Sequence, residues 1–156
     1  MLRTIFFLII LSLAATSWAQ EIELPFDVSP VATFNEPWAM TFLPDGRLLV
    51  TEKRGRLYVV TQEGEKSRSV EEMPNVDYRG QGGLGDVILH PDFDSNGLIY
   101  LSYAEEGVGN ARGAAVARAR LVLVKGNNRL EDVEVIWRQN PKVTDDGHYG
   151  HRMVFD

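Results

Sequence analysis

Two of the three histidines of the chain lie close together, in Thr144-Asp145-Asp146-Gly147-His148-Tyr149-Gly150-His151-Arg152, with two carboxylates just ahead of them. An imidazole near its ordinary pKa of about 6.5 is neutral at physiological pH and can accept a proton, so the segment carries the ingredients of a general base. Zinc ligation is the rival chemistry. His-x-x-His supplies only two ligands, however, and with no cysteine in the chain further ligands would have to come from elsewhere. Spacing alone is equally compatible with a solvated polar loop. If the segment is extended, a separation of three residues sends His148 and His151 to opposite faces, so that only one can look into a site.

A second concentration of chemistry is Tyr78-Arg79-Gly80-Gln81-Gly82-Gly83-Leu84-Gly85-Asp86. Its four glycines allow close backbone approach, and Gln81 offers amide donors and an acceptor among them. Gly80 to Gly85 formally matches G-x-G-x-x-G, but a strand follows where a dinucleotide site needs a helix, which argues against a phosphate role. A glycine-rich turn and a ligand-facing loop both fit this spacing. His90, in His90-Pro91-Asp92-Phe93, reads as a residue that packs a turn.

The elements that must position these residues are short strands. Met40 to Phe42, Leu48 to Val50 and Leu57 to Val60 are β-favouring runs separated by Pro44-Asp45-Gly46 and Lys53-Arg54-Gly55, which predicts tight antiparallel reversals. The pattern recurs from Val87 to Tyr103, with a reversal between Pro91 and Gly97, and a third copy starts at Met153-Val154-Phe155-Asp156. Aligning Phe42, Leu89 and Phe155 gives intervals of 47 (89 minus 42) and 66 (155 minus 89). The first is the length of a propeller blade, and the second calls for an insertion, placed in the Gly-rich and small-residue stretch Ala104 to Gly113 before a strand from Ala115 to Lys125. A β-sandwich with similar turns is the competing architecture. The repeated order of strand, turn and strand favours an all-β fold made of about two to three blades at the N-terminal end of a β-propeller. Propellers close with about four to eight blades, so the reading implies an incomplete portion of a longer protein.

Composition narrows the partners. Of 156 residues 44% are hydrophobic and 24% charged, with a formal charge of -6, which excludes a disordered chain and a basic nucleic-acid binder. Arg3, the apolar run Ile5 to Ala15 and Ser17-Trp18-Ala19 read as a secretory signal peptide over residues 1–19, too short in its apolar run to span a bilayer. The remaining segment, 20–156, is then a periplasmic or secreted domain with no membrane span. Lacking cysteine, it must rely on its core or a ligand for stability.

Four segments together resemble one family: Glu36 to Lys53, Gly80-Gln81-Gly82-Gly83-Leu84, Leu89-His90-Pro91-Asp92-Phe93 and His148 to Asp156. They are similar to successive N-terminal motifs of the soluble aldose sugar dehydrogenases, within the glucose/sorbosone dehydrogenase family. The resemblance implies a six-bladed propeller that uses pyrroloquinoline quinone (PQQ) with calcium to oxidise aldoses at the anomeric carbon to lactones, passing electrons to an acceptor. It assigns His148 as the catalytic base and Gln81 to the cofactor pocket. No metal ligand is assigned in this chain, since the family's calcium ligands and most of its PQQ clamp match positions beyond Asp156. On this reading the chain alone should be inactive. His151 stands where the family commonly has a small residue, a departure that bears on substrate preference. A non-catalytic exported propeller that binds a protein or carbohydrate partner is the alternative function.

Overall fold

A computed structural model of the protein describes residues 25–145 and 147–156. The signal peptide read in residues 1–19 and the carboxylate of Asp146 lie outside the described residues.

The first meander contains β1 (Pro37–Phe42), β2 (Leu48–Glu52) and β3 (Arg56–Val60), paired antiparallel in that order. Its reversals fall where the turn residues put them. Gly46 N–H bonds the Leu43 carbonyl at 2.9 Å and Gly55 N–H bonds that of Glu52 at 2.9 Å. After β3 the chain doubles back, and Ser67 and Val70 donate to the carbonyls of Val59 and Leu57, adding an irregular fourth row to the sheet.

The second meander is a regular four-stranded sheet of β4 (Leu84–Leu89), β5 (Leu98–Glu106), β6 (Arg112–Val122) and β7 (Arg129–Arg138). A single helical turn, α1 (Phe93–Asn96), fills the reversal between β4 and β5. His90 organises this turn: its Nδ1 lies 3.0 Å from the Asp92 N–H and 3.0 Å from Asn96 Nδ2, while its ring stacks on Tyr100.

The two sheets are structural repeats. β1 and β4 both hold six residues and begin 47 apart (84 minus 37), the interval anticipated from Phe42 and Leu89. β1 and β2 lie against β4. The core forms between the sheets from Leu49, Leu57 and Val59 on one side and Leu84, Val87, Leu101 and Ala117 on the other, all buried. Removing side chains of this size from water contributes about 1.5–3 kcal/mol each.

Two expectations are corrected, and one strand goes beyond them. Ala104 to Gly113 holds no insertion: β5 runs to Glu106, β6 starts at Arg112, and a turn of 3-10 helix (Val108–Asn110) joins them. The small residues are there for packing, since Ala104 faces Ala114 in the ladder and is fully buried. The additional length of the second unit lies in its 9-, 11- and 10-residue strands β5, β6 and β7. β7 itself was not anticipated. Finally, Met153–Asp156 is not paired as a strand, because no described segment offers it a ladder partner. The segment nonetheless runs beside β4 in the same direction. His148 bonds Gln81 and Met153 bonds Asp86, both 67 residues apart, and the Phe155 ring reaches His90 at 5.9 Å.

Candidate functional site

The glycine-rich loop is strapped down from several sides. Lys53 Nζ donates to the Gly80 carbonyl at 2.6 Å, Leu84 N–H to the Lys53 carbonyl at 2.9 Å, and Ala104 N–H to the Gly83 carbonyl at 2.9 Å. Its glycines therefore make room for protein. At Gly83, φ is +107° and a β-carbon would collide with the Lys53 backbone; at Gly85 it would collide with the His151 ring. Gln81 is left exposed at the tip of the loop.

His148 arrives next to it from a different part of the chain. The side-chain Oε1 of Gln81 accepts the His148 backbone N–H at 2.9 Å, and His148 is exposed. The structure thus brings together the two residues singled out in separate motifs. Asp145 turns back to accept the Gly147 N–H at 3.2 Å.

The segment carrying His148 is not extended. His148 (φ +57°), Gly150 (φ +73°) and His151 (φ +61°) are left-handed, a conformation that costs a non-glycine residue about 1–3 kcal/mol. The two histidines still part company, His148 to solvent and His151 into the protein, but through these left-handed turns and not through strand alternation.

His151 is 7% exposed. Its carbonyl accepts the Ser102 hydroxyl at 2.6 Å, and its ring meets Trp38 edge-on at 5.3 Å. Burial holds the imidazole below its ordinary value of 6.5, against the opposing pull of the Asp86 carboxylate and the Gln81 backbone carbonyl. The ring is therefore neutral at physiological pH.

Sequence reasoning missed Asp86 and Trp38. Buried Asp86 accepts the Met153 N–H at 2.9 Å and so pins the strip beyond His151 to β4. Its signal was a carboxylate inside an otherwise apolar strand, a position that demands a partner. Trp38 had none: an aromatic in a strand reads as ordinary packing.

Elsewhere, a cleft of about 710 Å³ is lined by Asp77, Arg79, Tyr103, Glu105 and Val135, among others. Its charges are committed to one another: Asp77 to Arg79 and Arg112, Glu105 to Arg138 and Lys142. Among the described residues no group of three or more His, Cys, Asp or Glu side chains converges to hold a metal ion, and no helix is long and apolar enough to cross a membrane.

Residues 34–156 match the family model described as Glucose / Sorbosone dehydrogenase. The chain belongs to that family. It is 35% identical over 156 residues to the aldose sugar dehydrogenase YliI of Escherichia coli, covering 99% of this chain and 41% of that protein. A solved glucose dehydrogenase superposes with a TM-score of 0.73 at 41% identity, over 78% of this chain and 38% of the other. The PQQ-bound aldose sugar dehydrogenase of Streptomyces coelicolor superposes with a TM-score of 0.63 at 26% identity, over 73% of this chain and 34% of that one. The chain thus spans about two fifths of the length of the glucose/sorbosone dehydrogenase family relative from Escherichia coli, and the two meanders are blades of a β-propeller.

Proposed function

We propose that the protein to which these residues belong oxidises aldose sugars at the anomeric carbon to lactones, using PQQ and passing the electrons to an external acceptor. The reading includes removal of residues 1–19 on export and a periplasmic or secreted location. The observation that carries it is the hydrogen bond from the His148 backbone N–H to the Gln81 side chain, which brings the two exposed residues together.

The residues fit a quinone cofactor in part. With Oε1 of Gln81 taken by His148, its Nε2 is the donor end that can meet a quinone oxygen. For calcium, no group of three or more His, Cys, Asp or Glu side chains converges among the described residues. PQQ, when bound, supplies the sink for the two electrons that leave C1 as hydride. His148 takes the proton of the C1 hydroxyl on a ring nitrogen as the carbonyl of the lactone forms. The loop around Gly83 keeps Gln81 in place throughout, because its backbone is tied to Lys53 and Ala104.

The test is dye reduction by the full-length protein. Adding an aldose in the presence of PQQ and calcium should bleach a redox dye and yield lactone, and omitting PQQ should abolish both. Residues 20–156 alone should give no turnover. If the full-length protein neither binds PQQ nor oxidises any aldose, the non-catalytic partner-binding propeller replaces this reading.

A further inference from the structure

His151 has no part in the chemistry proposed above, yet it is the buried histidine of this chain and lies three residues from His148. Its ring occupies the notch left by the missing β-carbon of Gly85. From there it touches three separate elements. Gly85 of β4 lies under the ring, Trp38 of β1 packs against it, and Ser102 of β5 donates to the His151 carbonyl and sits 3.5 Å from Nδ1. The same Ser102 hydroxyl accepts the Asp86 N–H at 3.0 Å, so the anchor continues into β4.

Resting on the reading of His148 and Gln81 given above, we propose that His151 is a positioning residue: its ring, seated on Gly85 against Trp38 and Ser102, holds the left-handed strip His148–His151 so that His148 stays docked on the Gln81 side chain. The His151 end of the strip is thus fixed on β4 and β5, while at its other end the His148 backbone N–H is held by the side chain of Gln81. Two left-handed non-glycine residues in one strip would otherwise relax. A neutral ring suits this place. The charged groups facing it are the Asp86 carboxylate from β4 and Arg152 from its own strip, 4.0 Å from Asp86, with the Tyr149 ring alongside; β1 and β5 contribute uncharged Trp38 and Ser102. A second proton on the imidazole would bring an ion beside Trp38, and the ring would leave the notch for solvent.

The experiment uses the full-length holoenzyme and three substitutions. His151→Phe keeps an aromatic ring on Gly85 but has no ring nitrogen for Ser102. The expected result is a kcat lower by on the order of 10- to 100-fold with KM for the aldose little changed, the size of effect that a small misplacement of a base produces. His151→Gln restores an N–H donor and should recover part of the loss. Protonation of the His151 ring should contribute to the acid limb of the wild-type kcat/KM profile, and that contribution should be absent from His151→Gln. A residue that merely filled space would give the reverse order, with Phe tolerated and Gln the worse. Wild-type kcat and an unaltered acid limb in His151→Phe would overturn the proposal. Should the variants fail to fold, the wild-type protein decides by NMR: the His148 amide resonance must shift with the same midpoint as the His151 ring, and an unresponsive amide overturns the proposal. His148→Ala separates the two readings. Undiminished turnover there removes the catalytic assignment, whereas the coupling of the His151 ring to the His148 amide stands or falls on its own.

Discussion

The Thr51 hydroxyl in β2 donates to the Gly85 carbonyl in β4 at 2.8 Å, 34 residues along the chain, and joins the two blades at the foot of the site. The same oxygen accepts the Ala39 N–H of β1 at 3.0 Å. One fully buried hydroxyl therefore satisfies backbone groups on either side of the interface between the sheets.

Thr51→Val conserves shape and removes both bonds, leaving the buried Gly85 carbonyl and the half-buried Ala39 N–H without this partner. We expect a loss of about 1–3 kcal/mol from the buried group, read as a lower denaturant midpoint of the full-length protein with an unchanged slope. Thr51→Ser should stay close to wild type. Equal stability of all three would mean that the blades are not joined through this oxygen.

Gly83 and Gly126 both have positive φ, +107° and +85°, but differ in surroundings. A methyl group at 126 meets nothing within 4 Å, so Gly126→Ala should cost only the backbone strain of about 1–3 kcal/mol. Gly83→Ala adds a collision with the Lys53 backbone and should prevent the Gln81 loop from closing. Soluble expression and thermal midpoint compare the two, and equal losses would contradict the close approach at residue 83.

Much of this arrangement was legible in the residues, and the failures have definite causes. Pro44-Asp45-Gly46 and Lys53-Arg54-Gly55 mark their reversals because turn geometry is set locally, and the 47-residue interval survives because β1 and β4 are true repeats. β7 escaped notice because its apolar residues do not alternate. Leu130 and Val135 both pack on the core at an odd separation, which a bulge at Asp132 (φ +54°) makes possible. Three steps of β7, from Glu131 to Glu134, oppose two steps of β6, from Arg120 to Arg118. At the site, Gln81 and His148 were each visible in a motif, but their contact spans 67 residues and depends on tertiary packing. The role of the glycines stayed open for the same reason: a bare backbone admits a ligand or a neighbouring strand equally well, and only the fold says which.

Acid stability should depend on Asp77. Hydrogen bonds from the Arg79 guanidinium, joined by the charge of Arg112, hold its carboxyl below the ordinary value of 3.8. A carboxyl depressed in the folded state stabilises it fully above that ordinary value, and the contribution disappears as pH falls through the lower, folded value. Thermal midpoints measured from about pH 5 down to about pH 2 should fall less steeply for Asp77→Asn than for wild type. Parallel curves would show that the pair with Arg79 does not persist in solution.

The most direct test of the catalytic account is the turnover of His148→Ala in the full-length, PQQ-loaded protein. Proton removal belongs to the transition state, whereas quinone binding rests mainly on other groups, so kcat should drop by on the order of 10²- to 10⁴-fold while PQQ affinity is nearly unchanged. A variant that keeps near-normal kcat with PQQ bound would contradict the assignment of His148 as the base.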